Sequence, residues 1–181
     1  GITTLTWFSL DRTLNQEAPQ THTLALDWTP PLITYTLSGD AVAADWYRSA
    51  VRLTVTATDA GAGVTALAYA LDDGPWQPYT TTVTLTAGGR HQLHLRAQDA
   101  ATNRADLTTQ PFGLDTLAPH TTVTLWGGRA ANGWYHTPVT VTLATTDTGT
   151  GVATVAWRLN GGAWQVYTTP LLVTSERVNL L

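Results

Sequence analysis

The sequence has no cysteine, no methionine and no lysine, and its only glutamates are Glu17 and Glu176. The absence of cysteine excludes a disulfide framework and a thiol nucleophile. Proteins that bind nucleic acid cluster Lys and Arg against the phosphates. Here nine Arg residues are scattered along a chain with a net charge of −4, so nucleic acid is excluded as a partner.

Catalytic and membrane signatures are missing as well. Most aspartates lie at turns or at repeated positions, and no serine lies in a Gly-x-Ser-x-Gly motif, so no catalytic set stands out. No apolar run approaches the roughly 20 residues of a membrane helix, and no signal peptide is present. We therefore predict that the chain is not an enzyme. Since position 1 is Gly, we expect residues 1–181 to be a processed or excised piece.

What the sequence does contain is 36 threonines, about a fifth of its residues, in a chain that is 43% hydrophobic. This apolar fraction is enough for a hydrophobic core and argues against wholesale disorder. Threonine forms strands readily, because its branched side chain suits a pleated surface and its hydroxyl tolerates water. The composition therefore predicts an all-β protein.

An internal repeat with a constant offset of 88 residues and no gaps dominates the chain. Three continuous runs carry it, at 46–47, 59–64 and 76–81, and each recurs 88 residues later with at most two substitutions. Single residues keep the same offset, and the pairs are Asp11 and Asp99, Asn15 and Asn103, Asp27 and Asp115, and Pro31 and Pro119. Such agreement indicates duplicated structural units.

The length of the repeat suggests what each copy is. It is too long for a solenoid unit and close to the ~100 residues of an Ig-type sandwich. Proline-containing segments at 27–31 and 115–119 make natural junctions, since proline ends strands and stiffens linkers. We predict tandem Ig-like or fibronectin-like antiparallel β-sandwiches. Residues 1–27 form the last strands of one repeat, 28–117 a complete repeat, and 118–181 a repeat that lacks its last two strands.

Period-two alternation marks the strands of the complete repeat. The clearest run has apolar residues at 51, 53, 55 and 57, with Arg or Thr between them. This pattern predicts one buried face and one solvated face. The segments Asp72-Asp73-Gly74 and Asn160-Gly161-Gly162 are predicted hairpin turns, because Asn and Gly tolerate positive φ.

Five motifs occur in a fixed order: Gly-Trp-Tyr, Asp-x-Gly-x-Gly-Val, Gly-x-Trp-Gln-x-Tyr, Asp-x-x-x-Asn and Asp-Thr-x-x-Pro. Together they resemble a bacterial Ig-like repeat, the outer-membrane-protein-type β-barrel domain family, found in tandem on surface proteins and in secreted multidomain hydrolases. The resemblance implies a non-catalytic accessory module, extracellular or on the cell surface. Two roles stay open: a spacer or adhesion module, or a carbohydrate-binding module. Its partners would be other domains of the parent chain and a polysaccharide or cell-surface ligand.

The aspartates are the candidate metal ligands. Asp59 and Asp147 each precede a Gly-x-Gly turn, and their simplest role is to accept backbone N–H groups there. Calcium is the alternative, because it prefers carboxylate and carbonyl oxygens. Asp27 and Asp115 at the junctions, with Asp99 or Asp11 from the adjoining loop, would supply carboxylates at a domain border. No other cofactor is predicted.

The repeated tryptophans are the candidate ligand-binding residues. Trp46 and Trp134 occupy equivalent positions, where an aromatic side chain typically fills a core or packs a sandwich end. Trp126 is aligned with Ser38 of the preceding repeat, so the fold does not require an aromatic residue at this position. A sugar-stacking platform built from Trp126, Trp46 and Trp134 is the functional alternative, with Trp126 its best member.

Residues 1–27 match the two closing strands that residues 118–181 lack. An incomplete sandwich exposes apolar core and unpaired strand edges. The sequence therefore raises the hypothesis of head-to-tail self-association, in which residues 1–27 of one molecule complete residues 118–181 of another.

Overall fold

The structure is a computed structural model that describes residues 1–43 and 45–176. The described residues form strands, turns and loops, and the prediction of an all-β chain is confirmed. None of them belongs to a helix of the length and apolarity needed to cross a membrane. The chain divides into two compact units, one of residues Gly1–Leu114 and a second that starts at Asp115.

The first unit contains thirteen of the strands found in the described residues, and the second contains five. They are β1 (Ile2–Trp7), β2 (Gln20–Ala25), β3 (Leu32–Ser38), β4 (Ala41–Ala43), β5 (Trp46–Tyr47), β6 (Val51–Thr58), β7 (Val64–Leu71), β8 (Gln77–Pro78), β9 (Val83–Leu85), β10 (Gly89–His91), β11 (Leu93–Asp99), β12 (Arg104–Thr108), β13 (Phe112–Leu114), β14 (His120–Trp126), β15 (Val139–Thr146), β16 (Ala156–Trp157), β17 (Gln165–Val166) and β18 (Leu171–Val173).

In the first unit, a two-stranded hairpin precedes three larger sheets. Strands β1 and β2 pair only with each other, and the larger sheets have the orders β3-β6-β9, β12-β11-β7-β8 and β10-β13-β5-β4. The pairings are antiparallel except for β13 with β5, which run parallel. Strands that are far apart in the sequence therefore meet, as β13 does with β5.

The core of the first unit lies between the β3-β6-β9 sheet and strands β11 and β13. Leu53, Leu93, Leu95 and Leu114 are each 0% exposed and belong to one hydrophobic cluster. The alternation in β6 follows the predicted pattern: Val51, Leu53 and Val55 are buried, Ala57 is half-buried, and the intervening side chains are exposed. Burial of one face of each strand is what holds these sheets together.

The hydrogen bonding of the first unit recurs 88 residues later. The Tyr79 hydroxyl accepts from the Val55 amide at 3.0 Å, and the Tyr167 hydroxyl accepts from the Leu143 amide at 3.1 Å. The predicted turns are present in both copies, since Asp72 has φ of 54° and Asn160 has φ of 52°. The sequence repeat is thus matched by repeated geometry over these segments.

The second unit has two small sheets, β14-β15-β18 and β16-β17. Val141 is buried to 1% exposure, whereas Leu125 on the neighbouring strand is 42% exposed. The sequence predicts that the second unit lacks its last two strands. This prediction falls at the end of the chain, where residues 177–181 lie outside the described residues.

Leu53→Ala should lower the free energy of unfolding by about 2–5 kcal/mol, because it removes buried methyl groups and leaves a cavity. Thr54→Ala is the matched control, since Thr54 is the next residue of β6 and is exposed; it should cost less than about 0.5 kcal/mol. Urea unfolding measures both. Similar losses for the two variants would contradict the assigned faces of β6.

Candidate functional site

Asp59 organises the turn between β6 and β7. Its Oδ1 accepts hydrogen bonds from the amides of Gly61 at 3.0 Å and Gly63 at 2.8 Å. Gly63 has φ of 77°, a left-handed conformation that favours glycine. The carboxylate therefore shapes this loop as an Asx turn does, which is the simpler of the two predicted roles.

Asp27 reaches the same turn from the junction before β3. Its Oδ2 accepts from the Ala62 amide at 2.6 Å, and its Oδ1 accepts from the Thr29 amide at 3.1 Å. The bond from Ala62, followed by that from Thr29, holds the pKa of Asp27 below its usual value. The junction segment is thereby fastened to a loop that lies 35 residues further along the chain.

Asp99 completes the group from the end of β11, where it is 1% exposed. Its two oxygens accept from the backbone amide and the side-chain Nδ2 of Asn103, both at 2.8 Å. The Asn103 Nδ2 also donates to the carbonyl oxygen of Asp27 at 3.2 Å. Asn103 thus connects the junction to the β11–β12 turn.

One carboxylate oxygen each from Asp27, Asp59 and Asp99 lies within 4.8 Å of the others. Three hard oxygen ligands at this spacing are chemically suited to a divalent cation such as Ca²⁺. The sequence predicts that Asp27 and Asp99 lie together but does not add Asp59 to them. The three residues come from separate loops, and their spacing along the sequence does not show that the fold brings them together.

Asp115 is not a member of this group, although it is the repeat counterpart of Asp27. It lies in the second unit, where its Oδ2 accepts from the Thr150 amide at 2.6 Å and the Thr150 hydroxyl at 2.7 Å. The hydroxyl bond and then the amide bond lower the pKa of Asp115. Within the described residues, three clustered carboxylates occur in the first unit and not around Asp115.

Two glycines make these carboxylate contacts sterically feasible. A Cβ at Gly61 would overlap the Asp27 carboxylate, and a Cβ at Gly149 would overlap that of Asp115. Any other residue at either position would push the aspartate away from the turn. The Gly-x-Gly motif therefore has one glycine for the close approach and one for the positive φ.

Asp11 lies at the tip of the β1–β2 hairpin, away from this group. Its oxygens accept from the Nδ2 of Asn15 at 2.7 Å, the Asn15 amide at 2.9 Å and the hydroxyl of Thr13 at 2.8 Å. These bonds, led by the Asn15 side chain, lower the pKa of Asp11 from 3.8 to about 2. The Asp-x-x-x-Asn turn therefore has two settings. At Asp11 it forms the tip of a hairpin, and at Asp99 its aspartate belongs to the three-carboxylate group.

The three candidate tryptophans lie in different environments. Trp126 at the end of β14 is 78% exposed, and Trp134 is 59% exposed. Trp46 is half-buried and packs on the backbone of Gly113, with the Arg90 guanidinium 5.5 Å from its ring centroid. Trp46 therefore has a structural role, whereas Trp126 and Trp134 present indole surface to solvent.

No family model matches this chain, and no curated protein matches it in sequence. The resemblance to the Ig-like repeat family therefore stays a prediction. The function must therefore be inferred from the residues and their geometry. Two features are distinctive. One is the pair of junction aspartates bound to glycine turns, and the other is the exposure of Trp126.

Ala62→Thr should raise the melting temperature. In the second unit the Thr150 hydroxyl donates to the junction carboxylate, and Ala62 is the equivalent residue that lacks this donor. The reciprocal change Thr150→Ala should lower the melting temperature of the second unit for the same reason. Calorimetry measures both. If Ala62→Thr melts no higher than the parent chain, the hydroxyl bond does not contribute to the junction.

Metal removal separates the two roles of the carboxylates. Asp59→Ala should lower the melting temperature equally in EDTA and in excess Ca²⁺, because the amides of Gly61 and Gly63 lose their acceptor in either case. A loss seen only in Ca²⁺ would show that an ion, and not the turn, is what Asp59 stabilises. Asp147→Ala, at the equivalent turn of the second unit, is the matched control.

Asn15→Ala should move the pKa of Asp11 from about 2 toward 3.8, since it removes the side-chain hydrogen bond that is the largest cause of the shift and leaves the bond from the backbone amide in place. The lowered pKa means that this turn contributes stability above pH 3.8 and loses it as the pH falls toward 2. A carboxyl-resonance NMR titration measures the value. A parent pKa near 3.8 would show that the turn is not formed in solution.

Proposed function

We propose that this chain is a non-catalytic spacer or adhesion module, built from tandem Ig-like sandwiches, of a larger extracellular or cell-surface bacterial protein. The observation that carries the proposal is how the chain passes from one unit to the next. At each junction a residue held in one element is followed directly by an aspartate fastened to a turn of the next repeat.

At the junction between the units, Leu114 is 0% exposed in the core of the first unit. The next residue, Asp115, is hydrogen-bonded to Thr150 of the second unit. Since no residue intervenes, few backbone dihedrals are left unconstrained, in contrast to a flexible Gly/Ser linker. A connection without a flexible linker is what the proposed spacer requires.

The same arrangement recurs at the earlier junction. The Leu26 amide donates to the carbonyl of Gly1 at 2.7 Å within the hairpin, and the following Asp27 accepts from Ala62. Prolines at 30 and 31 restrict the backbone immediately afterwards. The bond from a turn amide to the junction aspartate occurs at both junctions, and this repetition supports a mechanical role.

The electrostatics support a module without catalysis. A general acid at neutral pH requires a carboxyl whose pKa is raised by burial or by a neighbouring charge. Among the described residues, all five carboxyls with a resolved shift have lowered pKa values: Asp11, Asp27, Asp72, Asp106 and Asp115. Hydrogen bonds from amide, hydroxyl, imidazole or guanidinium donors favour the ionised form of these carboxyls, and at Asp72 and Asp106 they outweigh the opposing effect of burial.

Single-molecule fluorescence transfer tests the stiffness. The chain has no cysteine, so Thr84→Cys and Thr142→Cys, at exposed strand positions of the two units, take the two dyes. We expect one narrow distance distribution, and a broader one after Asp115→Ala. Asp73→Ala in an exposed loop is the control and should leave the width unchanged. A broad distribution in the parent chain would overturn the spacer function.

Exposure of Trp126 favours a second candidate, a carbohydrate-binding accessory module of a secreted hydrolase. An indole that is 78% exposed, at a position where the other repeat has Ser38, is not required for packing. Aromatic faces of this kind stack on apolar faces of ligands. Retention on insoluble polysaccharides that is lost in Trp126→Ala, but kept in Trp28→Ala, would support it. Failure to bind any of the polysaccharides would remove it.

A further inference from the structure

The imidazole of His91, on β10, is almost enclosed by protein, since its side chain is only 9% exposed. Its Nδ1 lies 3.0 Å from the Oδ2 of Asp72, and its Nε2 lies 2.9 Å from the carbonyl oxygen of Ala87. Phe112 of the core packs against the ring, with the two ring centroids 6.0 Å apart. Both ring nitrogens therefore face a protein oxygen and not solvent.

The two oxygens around His91 are compatible with one protonation state of the ring. A carboxylate and a backbone carbonyl accept hydrogen bonds and do not donate them. Neutral imidazole has a single N–H, so one of its nitrogens would direct a lone pair at an oxygen atom. The imidazolium donates at both nitrogens. The geometry around His91 therefore favours the charged ring.

Asp72 stays a carboxylate in this arrangement. Burial raises its pKa, but the hydrogen bond from His91, followed by that from the Gln92 amide, outweighs burial and holds the pKa of Asp72 below its usual value. Its acceptor role is therefore constant near neutral pH, and the ring is the member of the pair that changes charge there.

The contacts of His91 join two segments that flank β10. Asp72 lies in the turn after β7 and is fastened to Gln92 by two hydrogen bonds: its Oδ1 accepts from the Gln92 amide at 2.8 Å, and its own amide donates to the Gln92 carbonyl at 2.7 Å. Ala87 lies in the loop between β9 and β10. The ring is thus the link between the turn and the loop.

The repeat shows that the turn itself does not need the charge of Asp72. The second unit has Asn160 at the equivalent position, and the two residues have nearly the same φ, 54° for Asp72 and 52° for Asn160. Asparagine adopts this left-handed conformation as readily as aspartate does. The negative charge of Asp72 therefore has a role beyond the turn, and pairing with His91 provides one.

We propose that Asp72, His91 and Ala87 form a pH-sensitive bridge, complete when the imidazole is charged and broken at Ala87 when it is neutral. The single N–H of the neutral ring stays with Asp72, because a hydrogen bond to a charged acceptor is the stronger of the two. Since the fold favours the charged ring, the bridge stabilises the first unit in acid, and this contribution is lost as the pH rises and the ring becomes neutral. The proposal is independent of the spacer function.

The other charged or titratable groups on the elements around His91 have partners of their own or lie in solvent. Arg90 is paired with Asp45. The Nδ1 of His94 lies 3.0 Å from the hydroxyl of Thr108, which can donate or accept and so suits the ring in either charge state. Asp73, beside Asp72 in the turn, is exposed. The loop and β13 contact the ring through Ala87 and Phe112, which carry no charge.

Calorimetry at about pH 5.5 and about pH 8.5, on either side of the ordinary titration range of histidine, tests the bridge. The melting temperature of the first unit should fall by about 2–4 °C between them, the size expected for one hydrogen bond in a chain of this length. Asp72→Asn should abolish this fall, because the Asn amide can donate to the Nδ1 of a neutral ring while Nε2–H donates to Ala87. Asp73→Asn removes the neighbouring carboxylate as the matched control and should keep the fall.

Three outcomes of the calorimetry would overturn the bridge. The first is a parent chain whose melting temperature does not fall with rising pH, and the second is an Asp72→Asn variant that falls as much as the parent. The third is loss of the fall in Asp73→Asn as well, because it would assign the effect to the overall charge of the turn and not to the contact with His91.

NMR of the imidazole nitrogens in the parent chain supplies a measurement that requires no variant to fold. At about pH 5.5, where histidine is charged, His91 should show an N–H proton at both ring nitrogens in slow exchange with water. The ring protons of His120, an exposed residue, should exchange too fast to be observed. Ring protons of His91 that exchange as fast as those of His120 would show that the bridge is not formed in solution.

Discussion

The contact between a junction aspartate and a glycine turn is the constraint on which the rest of this structure depends. Asp27 reaches the Ala62 amide and Asp115 reaches the Thr150 amide, each at 2.6 Å. The contact marks the boundary between repeats, because the residue after the last strand is already bound to a turn of the following repeat. A short residue is needed in the turn, and glycine supplies it at 61. Hydrophobic burial stabilises each unit, but this hydrogen bond defines where a unit begins.

Equivalent positions of the repeat lie in different environments within the first unit. Leu93 and Leu5 are the same residue at equivalent positions, yet one is 0% and the other 55% exposed. The difference arises because β11 has β7 beside it and a sheet above it, whereas β1 has only β2. Local pattern selects the strand but not its register, since Trp7 pairs with Gln20 whereas its counterpart Leu95 pairs with Leu107, one position away from the equivalent partner. Burial depends on which distant strands are present to cover the apolar face.

The aspartates show how far the site could be predicted. The pairing of each aspartate with its own turn could be read from the sequence, because the Asp-x-Gly-x-Gly and Asp-x-x-x-Asn motifs form within five residues. The grouping of Asp59 with Asp27 and Asp99 could not, since the loops meet only after the sheets are assembled. The environments of the tryptophans could not be predicted either. Nothing local distinguishes Trp46, packed on Gly113, from the exposed Trp134.

The sequence by itself determined the all-β class, the 88-residue repeat, the alternation of β6 and the positive-φ turns at Asp72 and Asn160. These features depend on side-chain periodicity and on local backbone preference, which operate over a few residues. The tertiary structure alone decided which carboxylates converge, which indoles are exposed and which apolar strands are uncovered. Those properties depend on contacts between residues far apart in the chain. A pattern along the sequence does not give the spatial distances between such residues.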